Sequence, residues 1–248
     1  MNTYSITDVG RVRSMNQDRY SNYFHPRFSL LLLADGMGGH NAGEVAASIA
    51  IEACRTYFMN DKGRDDYETL LTEAVQAANL AVYEKGEEVA EYARMGTTIC
   101  AAVICQHQLS IAHVGDSRIY LFREGKLLQL TQDHSLVADM VRQGLLTPEE
   151  ALVHPDRNTL TRAVGTDETI AVDTRTISLY AGDRILLCSD GLTKMMDTES
   201  MEAILAEEGT VREAAEKLVN TANDNGGADN ITLTLYDIGG DHEADSAQ

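Results

Sequence analysis

The chain has 248 residues, 44% of them hydrophobic and 24% charged, and a formal net charge of −19. That length can bury a sizeable core and suits one large domain better than two small ones. The excess of acid argues against nucleic acid and anionic membrane as partners, and no run of about 18 apolar residues offers a membrane span.

The opening MNTYSITDVGRVR holds no apolar stretch of secretory type, so a cytoplasmic protein is expected. Cys54, Cys100, Cys105 and Cys188 form no Cys-x-x-Cys pair, which fits a reducing compartment. FSLLLLAD, ending at Asp35, is a near-continuous apolar run of strand length and predicts a buried strand. It runs straight into the glycine-rich turn Gly36-Met-Gly-Gly-His40. AGEVAASIAIEACRTYFM has helical spacing, with Val45, Ile49, Ala53 and Tyr57 in one i, i+4 row. Residues 65–93 predict a longer helix with a small-residue face at Leu70, Ala74, Ala77, Ala78 and Ala81.

TTICAAVIC, QLSIAHV, SRIYLF and KLLQLT then predict strands linked by short polar turns, as in hairpins. Cys100 and Cys105, an odd number of residues apart on one strand, should point to opposite faces. TISL, RILLCSD and NITLTLYDI predict further strands; TESMEAILAEE and TVREAAEKLVNTAN predict helices, each opening on a threonine cap. The last residues, GGDHEADSAQ (239–248), read as a disordered acidic tail. Helices therefore cluster at 40–95 and 198–225 with strands between and around them, an α+β pattern with antiparallel pairing.

Three aspartates share one context. Asp35 and Asp190 close apolar strands and precede glycine, and Asp229 stands just before the strand ITLTLY. The end of one antiparallel strand lies beside the start of its neighbour, so the three can converge on one edge of the core. Converging carboxylates repel and lose water, and an oxygen-only ligand set suits Mg2+ or Mn2+. Asp116, in IAHVGDSRIYLF, sits at the tip of what reads as a hairpin. Asp18 lies in a polar stretch after the first strand, five residues beyond Arg13, whose guanidinium suits a phosphate. The sequence lacks a nucleotide P-loop, a His-Glu-x-x-His zinc motif and a Gly-x-Ser-x-Gly elbow, and no cysteine has an arginine six residues on. Activated water is the remaining nucleophile.

TDVGRVRSMNQD, ADGMGGHNAGEVAAS, MGTT, AHVGDSRIY, QDHS, TRAVG, LLCSDGL and GGADNIT follow one another along the chain. Across about residues 3–237 they resemble the motifs of the bacterial-type metal-dependent serine/threonine protein phosphatases of type 2C. The resemblance implies a four-layer α-β-β-α sandwich: two antiparallel sheets face to face, with helices on both outer faces. It implies one catalytic domain over residues 1–238, with a flap at 132–165 that controls substrate access. It implies two ions of Mg2+ or Mn2+, bridged by Asp35, contacted by the Gly36 carbonyl and completed by Asp190 and Asp229. Asp116 would hold a third, weaker ion with Asp190, and Asp18 would act near the second ion through water. Arg13 would bind the phosphate and His40 would protonate the departing serine oxygen. The implied substrates are phosphorylated proteins, in opposition to a cognate serine/threonine kinase, for a monomer that neither binds nucleic acid nor spans a membrane. A member specialised for one regulator and an inactive phosphoprotein-binding scaffold are the rival readings; retention of all five acids argues against the scaffold.

Overall fold

The computed structural model describes residues 2–39, 42–61, 63–207 and 209–239. Among them, one five-stranded sheet contains β1 (Thr3–Asp8), β7 (Arg118–Arg123), β8 (Lys126–Gln129), β10 (Arg184–Cys188) and β11 (Ile231–Asp237), in the order β1-β11-β10-β7-β8. A six-stranded sheet contains β2 (Asp18–His25), β3 (Phe28–Met37), β5 (Ile99–Cys105), β6 (Gln108–Val114) and β9 (Asp173–Ser178), in the order β2-β3-β5-β6-β9, with the short β4 (Gly96–Thr97) on β3. Every pairing is antiparallel.

Alternation along the strands builds the layers. On β3, Leu31 and Leu33 enter the space between the sheets, while Leu30, Leu32 and Ala34 face outward onto helices. The central strand of the other sheet behaves alike: Ile185 and Leu187 point inward, and Leu186 and Cys188 point outward. A strand covered on both faces has no use for polar residues, which is why these segments read as continuous apolar runs. Cys100 lies between the sheets and Cys105 packs on the helical side, so the two do face apart. All four cysteines are free.

Helices α1 (Ala42–Met59) and α2 (Tyr67–Glu88) cover the six-stranded sheet; α6 (Thr198–Ala206) and α7 (Val211–Asp224) cover the other. The three apolar interfaces confirm the α-β-β-α sandwich. Helix α1 buries Ala46, Ala47, Ala50, Ile51, Cys54 and Phe58. The Val45, Ile49, Ala53, Tyr57 row is only part-buried, because small alanines let the helix lie close to the sheet on the neighbouring row. Thr210 caps α7 with a full capping box, as expected, but α6 is capped by Asp197, whose carboxylate accepts from the Ser200 N–H at 2.8 Å. Short helices α3 (Leu136–Arg142) and α4 (Pro148–Val153) occupy the segment 132–165, and α5 (Asp190–Thr193) follows β10. A Thr147 capping box and Pro148 at the first helical position start α4. No helix among the described residues is long and apolar enough to cross a membrane. Apart from Gly239, the C-terminal stretch expected to be disordered lies outside the described residues.

Candidate metal centre

The aspartates gather at one edge of the sandwich by two routes. Asp18 and Asp35 are directly paired across β2 and β3 of one sheet. Asp190 and Asp229 flank β10 and β11 of the other sheet, where the end of one strand meets the start of the next. Strand adjacency thus accounts for each pair, and face-to-face packing of the sheets brings the pairs together. Asp35 is not the end of its strand: β3 continues to Met37 through pairing with β4. Asp116 is not on a hairpin either. β6 belongs to one sheet and β7 to the other, so Gly115-Asp116-Ser117 is a crossing between sheets. Gly115 turns the chain there with φ of +109°, pressed against Thr98.

Backbone contacts fix Asp35 closely. Its N–H donates to Thr98 Oγ1 at 2.9 Å, and its carbonyl accepts from Thr97 Oγ1 at 2.8 Å and from the Thr98 N–H at 2.9 Å. Thr98 Oγ1 also pairs with Ser117 Oγ at 2.7 Å, which ties the Asp35 strand to the residue after Asp116. A Cβ on Gly36 would lie 2.0 Å from the Gly43 carbonyl oxygen, so β3 and α1 touch main chain to main chain. A Cβ on Gly191 would likewise meet the Asn230 carbonyl oxygen at 2.0 Å.

Asn230 holds the loop that carries Arg13. Its Oδ1 accepts from the Gln17 N–H at 2.8 Å, and its Nδ2 donates to the Val9 carbonyl at 2.9 Å and the Met15 carbonyl at 2.8 Å. Arg13 Nη2 donates to Asp229 Oδ2 at 2.9 Å while much of its side chain stays exposed. Lys194 Nζ pairs with Asp190 Oδ2. Among the described residues no three acidic, histidine or cysteine side chains close on one point as a ready-made cage; Asp229 and Asp190 face these two cations instead. His40 lies outside the described residues.

The carboxylates are electrostatically uneasy. Burial, then the charges of Asp18, Asp190, Asp116 and Asp229, hold the Asp35 pKa well above its ordinary value. Burial pushes Asp116 up to about 7, with Asp190 adding to the rise and Lys194 opposing it. Burial pushes Asp18 up to about 6 against the hydrogen bond from Ser189 Oγ, at 2.7 Å on Asp18 Oδ2. Asp18 Oδ1 and Asp190 Oδ1 are buried without a hydrogen-bond partner. An all-oxygen donor set with orphaned carboxylate oxygens and raised pKa values fits a hard divalent cation.

Arg13, Asp116, Asp190, Lys194 and Asp229 line a cavity of about 770 Å³ whose far wall is Val137, Val141, Ala151 and Leu152 of α3 and α4. A larger groove of about 1060 Å³ lies on the outer side of α1, beside Ile49, Tyr57 and Arg64, and holds none of these acids. The segment behind the far wall is laced to the centre through His134. The His134 N–H donates to the Gly115 carbonyl at 2.8 Å, and His134 Nδ1 accepts from the Gly115 N–H at 3.1 Å. On its other side, His134 Nε2 meets Asp173 Oδ2 at 3.2 Å, and Arg162 Nη1 donates to Asp173 Oδ1 at 2.6 Å. Sequence reasoning missed Lys194, Ser189 and His134 as members of this neighbourhood. For Lys194 a signal existed, a cation one turn after Asp190; for His134 only the tertiary contact reveals it.

Residues 10–235 match the family model described as protein phosphatase 2C. The serine/threonine phosphatase stp of Listeria innocua is 38% identical over 235 residues, 93% of each chain. A crystal structure of a bacterial serine phosphatase superposes with a TM-score of 0.93 at 36% identity, covering 97% of this chain and 99% of that one. The catalytic domain of serine/threonine protein phosphatase PstP, crystallised with two manganese ions, gives a TM-score of 0.84 at 38% identity, covering 95% of this chain and 96% of that one.

Proposed function

The chain belongs to the protein phosphatase 2C family, and on that premise we propose that it hydrolyses phosphoserine and phosphothreonine in proteins, reversing a serine/threonine kinase. The observation that carries this reading is the gathering of two aspartate pairs, one from each sheet, close enough to raise one another's pKa values, with orphaned oxygens on Asp18 and Asp190 and with Asp190 and Asp229 open to the cavity. Asp35, Asp190 and Asp229, with the Gly36 carbonyl, would hold two ions of Mg2+ or Mn2+. Asp116 would join Asp190 in holding a third, and Asp18 would order water beside them. The chemistry such ions supply is to make hydroxide available from water near neutral pH and to draw charge from phosphoryl oxygens.

The chain's own residues do the rest. Arg13, on a loop clamped by Asn230, turns from Asp229 to the incoming phosphoryl group and orients it in line for attack. His40 gives its proton to the departing seryl or threonyl Oγ, a role suited to an imidazole. The segment 132–165 forms the cavity wall opposite the acids and governs which peptides enter. The chain acts as a monomer in the cytoplasm. The test is hydrolysis of p-nitrophenyl phosphate and of a phosphothreonine peptide with Mn2+ present and absent. Activity should require the metal and vanish in Asp35→Asn and Asp229→Asn; unchanged hydrolysis in either variant would sink the assignment.

A further inference from the structure

We propose that the Lys194 ammonium is a tethered counter-ion that competes with a divalent cation for the outer part of the centre, between Asp190 and Asp116. This rests on the reading of those aspartates as metal ligands. Lys194 follows α5 and reaches back one turn to Asp190 Oδ2, inside the same cavity that Asp116 and Asp229 line. The two oxygens of Asp190 are thereby divided: Oδ2 is held by Lys194, while Oδ1 has no partner. A cation that uses Oδ1 leaves the lysine in place. A cation that bridges Asp190 Oδ2 to Asp116 must displace it, because an ammonium and a divalent ion on one oxygen repel strongly.

The lysine is free to leave. Its side chain is 34% exposed against 13% for Asp190, so the four-carbon stem opens to solvent while the carboxylate stays inside. Its pull is not on Asp190 alone: Asp116 and Asp229 also stabilise its charge. The structure therefore assigns Lys194 a positioning role. It neutralises the outer acids when the divalent ion is scarce and sets the concentration at which that ion enters.

Mn2+ binding to the metal-free protein, counted by the electron paramagnetic resonance of free Mn2+ and by isothermal titration calorimetry, tests this without reference to turnover. In Lys194→Gln the weakest class of Mn2+ sites should tighten by about tenfold or more, since a competing unit charge has gone. Lys194→Met, which offers no new oxygen ligand, should tighten it too, whereas Lys194→Arg should keep it weak. Isotherms of Lys194→Gln and Lys194→Met that overlay the wild type, with all proteins folded by thermal melting, would overturn the proposal. An Asp35→Asn control separates the two levels. If wild type and Asp35→Asn bind Mn2+ alike, the reading of the whole centre fails; if Asp35→Asn loses the tight sites while Lys194 variants change nothing, only the role of Lys194 fails.

Discussion

Strand β10 has an aspartate just beyond each end, and the fold treats them in opposite ways. Asp183, before the strand, is 2% exposed and fully answered from within the chain: Arg123 donates to both carboxylate oxygens at 2.8 and 2.7 Å, and the Tyr180 N–H adds a third bond at 2.8 Å. Asp190, after the strand, shares its edge with Asp18, Asp35, Asp116 and Asp229 and keeps one oxygen without a partner. A buried carboxylate with a matched guanidinium is a structural fastening. A group of carboxylates without enough cations among them is poised for a charge from outside. The difference lies in what surrounds the aspartate, not in the residue.

Removing Asp35 should give the largest effect. Asp35→Asn is expected to lower metal-dependent phosphate ester hydrolysis by on the order of 10³-fold while leaving the melting temperature of the metal-free protein unchanged or raised, because a repelling charge has gone. The opposite end of β10 should respond in the opposite sense. Asp183→Ala takes both carboxylate bonds from the Arg123 guanidinium, a third exposed, and the acceptor from the Tyr180 N–H; with the Ser178 carbonyl still accepting from Arg123, it should cost about 2 kcal/mol of stability in urea unfolding. Hydrolysis per folded molecule should stay near wild type.

The contrast extends to pH. Asp18 and Asp116 bind protons more tightly folded than unfolded, with folded pKa values of about 6 and 7. Their stabilising contribution is present below the unfolded carboxylate range near pH 4 and is lost as pH rises through 6 and 7. His113 runs the other way: burial, with His134 nearby, pushes its pKa down to about 3. Its contribution is present above about pH 6.5 and is lost as pH falls toward 3. Between pH 6.5 and 8 only the carboxylate effect remains of these, so thermal melts of the metal-free protein should decline over that range. Added Mn2+ should flatten the decline; a flat curve without metal would mean the acids are already relieved.

The smallest effect is expected at the clasp. His134→Ala removes the acceptor for the Gly115 N–H and should cost about 1–2 kcal/mol in urea unfolding. It should also weaken the loosest Mn2+ site, through Asp116, without touching the tight ones.

Much of this was legible beforehand because it is local. The continuous apolar runs ending in Asp-Gly marked strands buried on both faces, and the capping boxes at Thr147 and Thr210 follow from a few adjacent residues. What stayed hidden depends on partners far along the chain. Strand, Gly-Asp and strand look the same whether the second strand folds back on the first or crosses to the other sheet. Local pattern therefore puts Asp116 on a hairpin, whereas the chain there joins two sheets. On α1, periodicity singled out the row of larger residues, but close approach to the sheet selected the alanines beside it. That Lys194 holds Asp190 needed only a one-turn spacing, yet a lysine on its own suggests nothing until the acids around it are seen.

The contact between Gly36 and Gly43 has a mechanical meaning. Side chains at most helix–sheet contacts can change rotamer and absorb a small shift. Here two main chains touch with nothing between them, so the contact has no slack. Any tilt of α1 is handed directly to the carbonyl and carboxylate that follow Ala34. The tolerance of this aspartate-bearing edge is thus set by a bearing made of two missing side chains.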